Sequence, residues 1–177
     1  MPELIAPTTR LHASWKEARD EWPSGAHMDG HGVRATDDVD SAEGFAEWVE
    51  RLRDEEDPST PLDEGLVHCT YRWIVEDDEY LGAVALRHTL NDFLLNVGGH
   101  IGYGIRPSAR RQGLAGWALG RTLDTARTLG LDRVLVTCIP SNVASARTIE
   151  KNGGVYEDTR TTGPDTVKRY WITLGPA

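Results

Sequence analysis

The sequence predicts a mixed α/β (α+β) domain with a largely antiparallel central sheet flanked by helices, and three features carry that expectation. Two stretches, 66–88 and 155–174, each hold a pair of apolar runs joined by a short polar turn, the pattern of antiparallel hairpins. Between them, residues 99–154 alternate strand, helix, strand, helix, which requires a right-handed crossover and one parallel strand pair. Two amphipathic helical stripes lie N-terminal to both. A chain of 177 residues, 39% of them hydrophobic, buries one good core, so residues 1–177 are expected to form a single domain.

Taken in order, ELIAP suits a short first strand. LHASWKEARDEW sets Leu11, Trp15, Ala18 and Trp22 at helical spacing, with the helix closing before Pro23, and PSGAHMDGHG is then a loop. SAEGFAEWVERLRDEED puts Phe45, Trp48, Val49 and Leu52 on one stripe of a second helix, ended by Pro58 and Pro61; its acidic run from Asp54 to Asp57 is expected to be solvated. LVHCTYRWIVEDDEYLGAVALRH is a hairpin turning at Asp77 and Asp78. NDFLLNVGG leads into GHIGYGIRPSARRQGLAG, where Gly102 and Gly104 leave one face of a strand without side chains. After Gly113 the period becomes 3.6, with Ala115, Leu119, Thr122, Ala126 and Leu129 on one face and Gly130 as the stop. DRVLVTCIP is a strand buried on both faces. Ser141 or Asn142 caps a helix over VASARTIEKN, and VYEDT and KRYWITL close the chain as a hairpin around GPD.

Composition excludes several function classes. A net charge of −9 leaves no basic face for general nucleic-acid binding. Cys69 and Cys138 are too far apart in sequence for a disulfide framework or a metal motif. No apolar run suits a leader peptide or a bilayer crossing, so a cytoplasmic protein is expected. His27 and His31 flank Asp29, but HMDGHG is full of helix breakers, so no metal site is expected and the loop is instead expected to border an acceptor pocket. Cys138, inside VLVTCI, suits an inert buried thiol.

The chemistry concentrates at RRQGLA. Arg110, Gly113 and Ala115 fit Arg/Gln-x-x-Gly-x-Gly/Ala between a strand and a helix, where converging backbone N–H groups and the helix N-terminus suit a pyrophosphate. Arg106, Arg110 and Arg111 add local positive charge to an acidic chain. A Walker A loop would need Gly-Lys-Ser/Thr, which is absent. A Rossmann fingerprint fits poorly with the arginine-first spacing and the antiparallel hairpin before it, although Asp132 lies near the required distance.

With IGYGIRPSARR, the following helix, VLVTCIPSN and SNVASARTIEKNGG in this order, residues 97–154 resemble the acetyl-CoA-binding core of the GNAT superfamily of N-acetyltransferases. The resemblance implies that the parallel strands splay apart to admit pantetheine. It places main-chain groups of Ile105 and Arg106 along the pantetheine, Arg110, Arg111, Gln112, Gly113, Leu114, Ala115 and Gly116 around the pyrophosphate, and Asn142 near the coenzyme arm. The bare glycine face is then clearance for thioester and substrate. Acetyl-CoA is the implied cosubstrate, without a metal. The implied acceptor is a primary amine of a small molecule attacking directly in a ternary complex; a protein N-terminus or lysine, and a non-catalytic acyl-CoA-binding module, are the alternatives. A homodimer is compatible with this reading.

Amide formation needs a neutral amine, and a lysine-like amine with a pKa near 10.4 is below about 0.1% neutral at pH 7, so a base is required. His100 shares the parity of Gly102 and Gly104 and titrates in the useful range, which makes it the candidate, ahead of Glu64, His88 and Asp92. A backbone N–H near Tyr103 or Gly104 is the candidate oxyanion donor. The family's acidic tyrosine falls at Ile149 here, leaving Tyr103 or Tyr156 as substitutes.

Overall fold

The computed structural model describes residues 1–175. Among these residues, seven strands form one sheet in the order β1-β2-β3-β4-β5-β7-β6. They are β1 (Glu3–Ile5), β2 (Cys69–Glu76), β3 (Glu79–Arg87), β4 (Ile101–Ile105), β5 (Arg133–Cys138), β6 (Gly154–Thr162) and β7 (Asp165–Thr173). Every neighbouring pair is antiparallel except β4 and β5, the strands on either side of the crossover helix. Asp77 and Asp78 both take positive φ in the β2–β3 turn, the conformation a two-residue hairpin needs.

Helices cover both faces. α1 (His12–Asp20) and α2 (Ala42–Asp54) bury Trp15, Phe45 and Trp48 against Trp73 of β2, with ring centroids 4.9–6.1 Å apart. α3 (Leu114–Thr128) and α4 (Val143–Lys151) pack the opposite face through Leu119, Leu123 and Ile149 onto Val84, Ile101, Val134 and Val136. Val134, Leu135 and Val136 are all fully buried, as a strand with both faces covered must be.

Three expectations need correction. Leu129 lies one residue beyond α3 and is exposed, its place in the core taken by Leu114, Ala118 and Leu123. Trp22 is outside α1, in the turn before Pro23, where it meets Arg110 instead of the helical core. The run from Asp54 to Asp57 is not uniformly solvated: Glu55 is buried, with Arg34 and Arg51 at 2.7 and 2.8 Å and a hydrogen bond donated by the Tyr71 hydroxyl. Its neighbour Glu56 instead pairs with Arg72 of β2 at 2.7 Å.

Candidate active site

The parallel pair β4–β5 has a single paired position, Ile101 with Val136, and then opens. The register of β4 against β3 fixes which main-chain groups face that opening. Flanking β4, His100 C=O accepts from Arg87 N–H and Arg106 N–H donates to Leu81 C=O, so in this register Gly102 and Gly104 between them point their polar groups at β3. Tyr103 and Ile105 therefore turn their N–H and C=O toward β5, beyond the last paired residue. The Ile105 C=O accepts from the Arg110 side chain at 3.1 Å.

At the end of this opening the chain makes a compact turn. Arg111 and Gly113 both take positive φ, and Gly113 caps α3 with no side-chain hydrogen bond. The first helical bond runs from Trp117 N–H to Gly113 C=O, so the amides of Leu114, Ala115 and Gly116 have no acceptor within the helix. Three outward amides at the positive end of a helix form a cradle for an anion. The Arg110 guanidinium lies 4.8 Å from the Trp22 ring centroid and Arg111 stands exposed beside it.

Opening and cradle are one cleft of about 580 Å³. Its far wall is α4, where Asn142 accepts from Ser145 N–H at 3.0 Å and Ser145 Oγ lies 2.8 Å from the Tyr103 hydroxyl. Burial pushes the Tyr103 phenol up to about 12, so it stays protonated across the neutral range. His27 and Asp29 border the same cleft.

At Gly104 the missing side chain makes room for the loop between α1 and α2, whereas a Cβ on Gly102 would meet nothing closer than 3.4 Å. A Cβ on Gly104 would lie 2.6 Å from Asp29 C=O and 2.8 Å from the His31 ring, and one on Gly30 would lie 2.6 Å from Gly102 C=O. What approaches this face of β4 is the chain's own loop, and Gly104 also lines the cleft. His31, fully buried beneath it, donates from Nδ1 to Asp29 C=O at 2.8 Å, and burial lowers its pKa to about 4.

A family model for the acetyltransferase (GNAT) domain matches residues 14–155. The chain belongs to the GNAT acetyltransferase family. No match was found among curated proteins. Among solved structures, a Salmonella typhimurium acetyltransferase that modifies the N-terminal serine of a ribosomal protein superposes with a TM-score of 0.68 at 15% identity, over 98% of this chain and 95% of that one. A microcin self-immunity acetyltransferase in complex with acetyl-CoA and AMP gives 0.67 at 13%, over 98% and 92%. A GNAT-family acetyltransferase from Streptococcus pneumoniae gives 0.63 at 14%, over 99% of both chains.

In this GNAT fold the cleft gathers Tyr103, Ile105, Arg110, Arg111, Gly113, Leu114, Ala115, Gly116 and Asn142, and it leaves out three other residues expected there. Gln112 is exposed to solvent outside it. Arg106 spends its N–H on Leu81 and its C=O on Ala109, while its side chain is tied to Glu21 at 2.6 Å and Glu79 at 2.9 Å. His100 sits at the closed end of the β4–β5 gap, where its Nδ1 accepts from Leu135 N–H at 2.9 Å; burial, with Arg87 and Arg133 nearby, lowers its pKa to about 4. Its N–H donates to Leu135 C=O of β5 and Gly99 before it takes positive φ, so strand alternation does not aim it with the glycines. His88, bonded to Thr70 at 2.8 Å, and Asp92 and Glu64 do not line the cleft either. Ile149 is wholly buried in the α3–α4 core and brings no polar atom to the site. Tyr156, the other substitute acid, is exposed on β6 and bonded to Thr159. Ser145, missed in the sequence, was foreshadowed only by its place three residues after the capping Asn142.

Proposed function

We propose that this GNAT protein transfers an acetyl group from acetyl-CoA to a primary amine of a small molecule, by direct attack within a ternary complex. The observation that carries this reading is the continuity of the β4–β5 opening with the amide cradle of α3 in one cleft. The residues present suit the cosubstrate. Its pyrophosphate matches the free amides of Leu114, Ala115 and Gly116 with the Arg110 and Arg111 charges. Its pantetheine amides match the outward main chain of Ile105 and Tyr103, as an added strand would.

Sulfur and acyl carbon then fall near Tyr103. Its N–H, turned toward the gap, is the donor for the developing oxyanion; that of Gly104 points to β3. Its hydroxyl, held by Ser145, supplies the proton to the departing thiolate in place of the tyrosine that Ile149 replaces. The chain's net charge of −9 favours a cationic acceptor by long-range attraction. Acetylation of a protein N-terminus is the second reading, favoured by the Salmonella relative whose substrate is an N-terminal serine.

Release of free CoA thiol, measured across small amines and short peptides, tests both. A small amine is expected to turn over best, a peptide preference would transfer the assignment to the second reading, and acetyl-CoA binding without thiol release from any acceptor would leave a binding module. Tyr103→Phe is expected to lower kcat about tenfold to a hundredfold, with the acetyl-CoA Kd unchanged.

A further inference from the structure

Resting on the acetyltransferase reading, this inference concerns the base that the reaction requires and that His100 does not supply. The loop between α1 and α2 brings one titratable pair to the cleft: His27 Nε2 lies 3.0 Å from Asp29 Oδ1, and both residues line the cavity with Tyr103 and Gly104. Neither side chain is buried, so on an open surface the pair would be of little consequence. Here the loop is fixed from below. Gly30 rests on the backbone of Gly102 and Ala83, and His31 bonds the Asp29 carbonyl from the interior. Asp29 is therefore anchored through its carbonyl and the following glycine while its carboxylate holds the nearby imidazole. A carboxylate on Nε2 selects the tautomer with Nε2–H and leaves Nδ1 as the basic nitrogen.

We propose that His27, oriented by Asp29, is the general base that deprotonates the acceptor. The acceptor ammonium gives one proton to His27 Nδ1, and its lone pair forms the N–C bond to the acyl carbon. The C–S bond breaks, the second nitrogen proton is lost to solvent, and the thiolate takes a proton from the Tyr103 hydroxyl, which solvent replenishes. The imidazolium finally releases its proton to water, so an ammonium and a thioester become an amide, a thiol and one proton.

The charged groups around His27 are Asp29 on its own loop, Arg87 of β3, Asp165 at the start of β7, and His31 beneath. The bond to Asp29 raises the His27 pKa above 6.5, against the opposing effects of desolvation and Arg87. A base acts when unprotonated, so kcat/KM should rise with pH through that raised value. Asp29→Asn removes the largest cause and moves the limb to lower pH.

The test combines imidazole titration by NMR, calorimetric acetyl-CoA binding and pH–rate profiles for the wild type, His27→Gln and Asp29→Asn. His27→Gln is expected to lose about a hundredfold in kcat near neutrality, with its acidic limb gone and acetyl-CoA affinity kept. Asp29→Asn is expected to lower the NMR-measured His27 pKa and the kinetic limb together. Wild-type kcat and limb in His27→Gln, or a His27 titration unmoved by Asp29→Asn, would overturn the proposal. A wild type that neither binds acetyl-CoA nor releases thiol would overturn the acetyltransferase reading instead, and the NMR titration would still decide whether Asp29 controls His27.

Discussion

Gly113→Glu is expected to weaken acetyl-CoA binding about a hundredfold while leaving the protein folded. A Cβ at Gly113 meets no atom within 4 Å, so the only intrinsic penalty is the left-handed backbone at φ +79, of order 1–2 kcal/mol. The carboxylate, however, enters the cradle formed by the amides of Leu114, Ala115 and Gly116. Two like charges about 4 Å apart repel by about 4 kcal/mol at an effective dielectric of 20, and more open solvent reduces that. A residue of about 2.7 kcal/mol is a hundredfold in Kd. Gly113→Ala carries the same backbone strain without the charge and should bind within a few-fold of wild type. Calorimetric titration checks both, and equal affinities for Glu and Gly at this position would count against a phosphate there.

The second large effect belongs to Gly30. Gly30→Ala is expected to destabilise the fold by about 2–5 kcal/mol, adding left-handed strain to the overpacking of a site that cannot yield. The new methyl would lie 2.6 Å from Gly102 C=O, 2.9 Å from Ala83 C=O and 2.9 Å from Tyr103 Cα, all of them backbone atoms of the central sheet. At this chain length the loss corresponds to a fall of roughly 5–15 °C in Tm. Gly25→Ala is the control, since Gly25 has φ +76 with nothing within 4 Å and should show the strain alone. Melting both variants separates the two contributions; equal losses would mean that the loop does not press on β4. Because Gly30 sits beside Asp29, its substitution should also raise KM for the acceptor more than for acetyl-CoA.

The parts of this molecule legible in the sequence are those set by local chemistry. Asp77 and Asp78 at a hairpin turn, a helix cap at Ser141 or Asn142 and the helical period that begins after Gly113 each follow from a few neighbouring residues. The turn expected to hold an anion is of the same kind, since Arg110, Gly113 and Ala115 mark it within six residues. Long-range approach is not written locally. The glycines of β4 raised the question of what comes close, and the answer is the loop at Asp29–His31, some seventy positions earlier, with nothing in either segment naming the other. His100 shows the same limit: its parity is right, yet Gly99 at φ +68 precedes it and its ring answers to Leu135 on another strand. Arg106 belongs to the arginine cluster by sequence, while Glu21 and Glu79, brought from α1's end and β3, cancel its charge.

Amide hydrogen exchange along β4, followed with and without saturating acetyl-CoA, tests most directly whether the cosubstrate lies between β4 and β5. Exchange at Ile105 should slow on binding, while Gly104 and Arg106, already bonded to β3, should change little. Saturated binding with Ile105 exchanging as fast as in the free protein would contradict the account.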